Sequence, residues 1–194
     1  LLDRVAPSLL GRYDFVDQTV SIVPDNFERL RGRLRDEAIA APEFLEAVVL
    51  HELVHACDDA RFGLERRIEA CDGPEARLAL LALLEGHAQW MTRAVLEAGG
   101  KGSWFRRLTS ALAAVPAGMD ASRLYVNSLV APEAGLYDDG LRFLEQMAQR
   151  HPPLAFADLM VRPPTRLDLI LLPERYGREP RPPRALDAAL RAFA

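Results

Sequence analysis

Two stretches of this chain are apolar on every side rather than along one stripe. Residues 44–50 read Phe-Leu-Glu-Ala-Val-Val-Leu and continue into Leu53, Val54 and Ala56; residues 78–84 read Leu-Ala-Leu-Leu-Ala-Leu-Leu. A helix that is apolar all round is a buried helix. Pro42 suits a first helical position, Glu43 and Glu46 suit the positive end of the dipole, and Gly63 is a stop signal, so the first helix is expected over 42–61. The second opens near Cys71-Asp72-Gly73-Pro74-Glu75 and meets no breaker pair before Gly99-Gly100.

The flanking pattern is different in kind. Residues 12–23 mix aromatic and β-branched residues around a polar turn at Asp17-Gln18, which predicts a small β-hairpin ended by Pro24. Residues 25–39 place Phe27, Leu30, Leu34 and Ile39 at roughly helical spacing among charges, the mark of a surface helix. Ser103 is a candidate cap for a helix over 104–114 with Trp104, Phe105, Leu108 and Leu112 as its stripe. Further helices are expected over 120–131 and 133–150, the latter with Leu136, Tyr137, Leu141, Phe143, Leu144 and Met147 mostly inward. Thr165 and Asp168 suggest a weakened capping box ahead of a short helix closed by Pro173. Residues 1–10 suggest a short helix or coil, and Ala185 to Phe193 an amphipathic piece. The fold class is thus mainly α (α+β), read as a single domain over 1–194 without repeats.

Polar residues inside the two buried runs carry the chemistry. The first contains His51-Glu52-Leu53-Val54-His55, an H-E-x-x-H pattern that sets two imidazoles one helical turn apart on nearly one face. Two such rings can share a zinc ion, with Glu52 beside them to take a proton from a bound water. Buried and unpaired, these three groups would be costly, and a metal is the simplest common partner. The second run ends on Glu85, a carboxylate that also needs neutralising, followed by Gly86, which fits mid-helix only where something approaches closely. Glu85 is the expected third ligand. His87 lies about 200° round the helix from it and reads as a supporting or core histidine. Asp59, one turn after His55, reads first as a helix-end acid and second as a carboxylate holding a ligand imidazole. His151, before Pro152-Pro153, reads as a surface histidine.

Composition changes this picture little. The chain has 194 residues, 49% of them apolar and 27% charged, with a formal charge of −4. That is enough for one core, and it argues against nucleic acid as a partner. No apolar run approaches the ~20 residues of a membrane helix. The chain starts Leu-Leu-Asp, and the expectation is a trimmed or mature form, secreted or cell-envelope, with its signal segment removed. Cys57 and Cys71 could form a disulfide in an oxidising compartment; two buried free thiols are the alternative.

His51, Glu52, His55 and Glu85 together resemble the gluzincin metallopeptidases, in which H-E-x-x-H on one helix is joined by a Glu from the next. More narrowly, His51-Glu52-Leu53-Val54-His55-Ala56-Cys57-Asp58-Asp59-Ala60-Arg61-Phe62 and Ala82-Leu83-Leu84-Glu85-Gly86-His87-Ala88 resemble a group of small bacterial proteins with H-E-L-x-H-A-x-x-D-x-x-F and A-L-x-E-G-x-A. Tyr137-Asp138-Asp139-Gly140-Leu141-Arg142-Phe143 and the stretch from Pro163-Pro164 to Pro173-Glu174-Arg175-Tyr176 extend the likeness over about 45–176. The chain departs from that group at Arg166-Leu167-Asp168-Leu169 and Leu172, where a Ser-Thr-Glu-Gln-like patch and a His are expected.

The resemblance implies zinc held by His51, His55 and Glu85, with Glu52 as general base and a peptide or protein as substrate. It also implies a Tyr or His that stabilises the oxyanion: Tyr137, then Tyr125, then His151. An edge of the hairpin could hold an extended peptide by strand addition. Two other readings stand beside this one. One is a metal-stabilised binding or regulatory module without turnover, which a fourth protein ligand would favour; the other is a zinc hydrolase of non-peptide substrates. Oligomeric state is not legible.

Overall fold

The computed structural model describes residues 9–114 and 133–178. It is mainly helical, with a two-stranded antiparallel hairpin at its N-terminal end. Strands β1 (Gly11–Asp14) and β2 (Thr19–Ile22) pair with Tyr13 opposite Val20, and Gln18 takes a left-handed conformation in the turn. The expected helices over 120–131 and 185–193, and most of residues 1–10, lie outside the described residues.

The expected surface helix is shorter than its pattern. Helix α1 covers Pro24–Leu34 and ends where Arg35 turns left-handed. Asp36 then accepts from the Ala38 main-chain N–H and starts a separate 3-10 turn, Glu37–Ala40, which carries Ile39 into the core. A side chain that caps its own downstream backbone competes with continuation of the helix.

Helix α2, Pro42–Phe62, starts on Pro42 and stops on Gly63 in the left-handed region. It is buried on one side only: Phe44, Ala47, Val48, His51, Glu52 and His55 are buried, whereas Leu45 and Leu53 stay 41% and 47% exposed. The short helix α3, Leu64–Glu69, has no counterpart in the sequence reading; Asp59 accepts from the Leu64 N–H at its first turn. Helix α4 spans Gly73–Ala98, and its run from 78 to 84 is buried or half-buried throughout. Helix α5 covers Gly102–Ala114, starting one residue before Ser103, and buries Phe105 and Leu108.

Helix α6, Glu133–Arg150, buries Leu136, Phe143, Leu144 and Met147. Helices α7 (Phe156–Val161) and α8 (Leu167–Leu171) follow, and a 3-10 turn at Pro173–Arg175 closes the described part. No capping box forms at α8. Arg166 occupies the N-cap, and Asp168 pairs with Arg166 and Arg175 instead of with the backbone ahead of it.

Two apolar cores result. One gathers α3, α4, α6, α7 and α8 around Leu83, Phe143 and Ile170. The other gathers α1, α2, α5 and Leu96 of α4 around Phe44 and Ile39. Helix α4 runs through both. On α2 the histidines follow the core residue Val48, and on α4 Glu85 falls between Leu84 of one core and Leu96 of the other.

Gly86 finds its reason in α6. A Cβ on Gly86 would stand 2.5 Å from the Gly140 carbonyl oxygen, and one on Gly140 would stand 2.9 Å from Gly86 N. The two helices therefore touch backbone to backbone, which only glycines permit at this distance. Arg93 and Glu145 add an ion pair across the same contact, 2.5 Å long.

Candidate metal centre

The two histidines leave α2 one turn apart, and Glu85 reaches them from α4. His51 Nε2 lies 3.1 Å and His55 Nε2 3.4 Å from Glu85 Oε2, and the two Nε2 atoms lie 3.2 Å apart. All three ligand atoms fall within 4.8 Å of one another. Both rings are buried and Glu85 is half-buried. The sequence-predicted trio is thus brought together by the packing of α2 on α4.

The three groups are electrostatically coupled. Burial would raise the Glu85 carboxyl, but the charge of His55 and the hydrogen bonds of both rings outweigh it and hold it well below the ordinary range. Burial would lower His55, and Glu85 outweighs that too, so His55 rises. The carboxylate and the two rings thus stabilise one another's charge. The donor set, two imidazole nitrogens and one carboxylate oxygen, could hold a divalent metal ion. His51 Nδ1 and His55 Nδ1 are buried and without a hydrogen-bond partner among the described residues.

Glu52 is held from the other side. Its Oε2 accepts the Tyr13 main-chain N–H at 2.7 Å, and it is 8% exposed. Burial pushes its carboxyl above the ordinary range, against the opposing charges of His51 and His55. Gly11 makes this approach possible, because a Cβ there would lie 2.9 Å from Val48 Cγ1 and 3.0 Å from Glu52 Cγ. At Tyr13, therefore, the edge of β1 is occupied by Glu52 and is not open to an added strand. Tyr13 also donates its hydroxyl to Asp59 at 3.0 Å, and Phe15 sets its ring edge-on to His55 with centroids 6.5 Å apart.

The other candidates separate clearly. Asp59 serves as the helix-end acid, bonded to Tyr13 and to Leu64 N–H, and does not hold an imidazole. His87 faces away to Asp58, with Nδ1 2.7 Å from Asp58 Oδ2, and stacks on Phe156. His151 is exposed just past the end of α6. Tyr137 lies at the site: its ring centroid is 5.7 Å from that of His51. Tyr125 lies outside the described residues. Cys57 and Cys71 are both free; Cys57 is exposed rather than buried, and Cys71 donates to the Arg67 carbonyl one turn back.

Sequence reasoning missed the hairpin's part in the site, the Tyr13 N–H on Glu52 and the Phe15 ring against His55. Gln89, on α4, is 2% exposed with its Oε1 unpartnered among the described residues. Comparison of the chain with family models, curated proteins and solved structures finds no match. No helix among the described residues is long and apolar enough to cross a membrane.

Proposed function

We propose that the chain is a zinc-dependent metallopeptidase of the gluzincin type, hydrolysing peptide bonds. The observation that carries this reading is the convergence of His51, His55 and Glu85 with Glu52 locked beside them by the Tyr13 N–H. A zinc ion held by His51, His55 and Glu85 would supply Lewis acidity, acidifying a bound water and polarising the scissile carbonyl.

The protein's own residues do the rest. Glu52 takes the proton of the attacking water and returns it to the leaving amine. Its raised affinity for a proton suits a group that must hold one between two steps. The Tyr13 N–H fixes which carboxylate oxygen faces the reaction, and Phe15 and the buried α2 face exclude bulk water. Tyr137 is the candidate donor to the developing oxyanion, placed by α6 beside His51. A structural zinc site fills all four positions with protein atoms. Asp59 is committed elsewhere and His151 lies outside the cluster, and this favours an open, catalytic site over a non-catalytic module.

The test is metal content together with cleavage of a peptide library, run on wild type and Glu52→Gln. The variant is expected to keep zinc and lose activity by about 10²–10⁴-fold. A fully active variant would reject Glu52 as the base. A metal-loaded wild type that cleaves no peptide would reject the peptidase reading.

A further inference from the structure

About 200° round α4 from Glu85, the described residues enclose a second feature. An open cleft of about 410 Å³ lies between α4, the second half of α6 and the loop that follows it. His87 and Phe156 line it, their rings parallel (1°) with centroids 3.6 Å apart. Trp90, Met91, Leu144 and Leu154 add apolar wall, and Asp, Glu, Lys and Arg are absent from its described lining. Its size is that of a small-molecule site.

The polar group in this cleft is fixed. His87 Nδ1 is 2.7 Å from Asp58 Oδ2, and Asp58 is 5% exposed. A buried carboxylate at Nδ1 sets the ring's orientation and leaves Nε2, on the opposite edge, for a ligand. Nε2 is not among the buried unpartnered atoms and has no hydrogen bond among the described residues. The apolar side chains and the imidazole nitrogen suit an apolar ligand that carries a hydrogen-bonding group. The uncharged lining disfavours an anion or a cation. A hydroxyl meets Nε2 whichever protonation state the ring holds, because it both donates and accepts.

We propose that this cleft is a binding site for a phenolic ring, supplied either by a tyrosine side chain of a peptide or by a free small phenol. The site stands on its own geometry and does not depend on hydrolysis at the metal centre.

The experiment is direct titration of the intact protein with N-acetyl-tyrosinamide, N-acetyl-phenylalaninamide and p-cresol. Trp90 fluorescence is the readout, on a Trp104→Phe background that leaves it the single indole. The tyrosine amide is expected to bind about five-fold tighter than the phenylalanine amide, the size of one net hydrogen bond. His87→Leu should erase that difference, and Ala148→Phe, which fills the cleft without adding an indole, should abolish binding of all three, with helical circular dichroism retained. Binding of the tyrosine amide without p-cresol assigns the site to peptides; p-cresol at equal affinity assigns it to free phenols. Equal affinity for the two amides, binding that survives Ala148→Phe, or no binding at all overturns the proposal. Glu52→Gln leaves these titrations unchanged, so their failure is distinct from failure of the peptidase reading.

Discussion

Tyr13 and Glu52 are joined by a 2.7 Å bond from main-chain N–H to carboxylate, across a strand-to-helix contact that Gly11 keeps close. The proposed base is therefore aimed by a strand outside its own helix.

Gly11→Ala should push β1 away from Glu52, since the new Cβ meets Val48 and Glu52 at about the limit of real contacts. Peptide cleavage should fall by roughly ten- to a hundred-fold, the cost of misplacing a reacting group by about 1 Å. Zinc content should stay at the wild-type level. Unchanged kcat/KM in this variant would show that the strand does not position the base.

Glu85→Ala removes the proposed ligand on α4. Zinc affinity should drop by more than the ~10–100-fold that accompanies loss of a mere supporting hydrogen bond. Competition against a chelator of known affinity measures it. Metal retained after dialysis against a mild chelator would reject Glu85 as a ligand.

Gly86→Ala and Gly140→Ala should each be destabilising, because the added methyl meets backbone, not a side chain that can swing aside. The expected cost is at least the ~1–3 kcal/mol of overpacking, seen as a fall in Tm of roughly 2–4 °C per kcal/mol at this chain length. Either variant melting at the wild-type temperature would mean that the helices have room to part.

Alkaline stability should depend on Tyr13, whose hydroxyl is pushed up to about 12 by burial and then by its bond to Asp59 and that group's charge. An unfolded tyrosine titrates near 10, so the folded chain holds this proton more tightly. The stabilisation is whole below about 10 and is lost as pH rises through about 12. Between these limits wild type should lose stability faster than Tyr13→Phe, measured as urea midpoints. Parallel curves would remove Tyr13 as the cause.

The helices that bear the site were legible because their signals are local. Pro42 and Gly63 bracket α2, and the spacing of His51 and His55 is a property of any helix. Glu85 was legible as a carboxylate at the end of an apolar run, and Gly86 as a sign of close approach. Its partner Gly140 was not, because nothing near residue 140 states which helix it will meet. The same holds for Tyr13: an alternating aromatic in a strand says hairpin, but its bond to Glu52 spans 39 positions. Leu45 and Leu53 misled in the opposite sense, since an apolar run reads as buried all round whether or not chain arrives to cover both sides. The break at Arg35 was missed because helical spacing continues through Ile39 while the backbone does not.

The glycine pair on α4 and α6 also bears on how the site can drift over generations. Glu85 is one residue from Gly86 and Tyr137 three from Gly140, so the proposed metal ligand and the candidate oxyanion donor hang from one main-chain junction. Any side chain at either glycine would force that seam apart, so both positions are closed to exchange. Tyr13 and Phe15, which face the site from the hairpin, lie outside that junction.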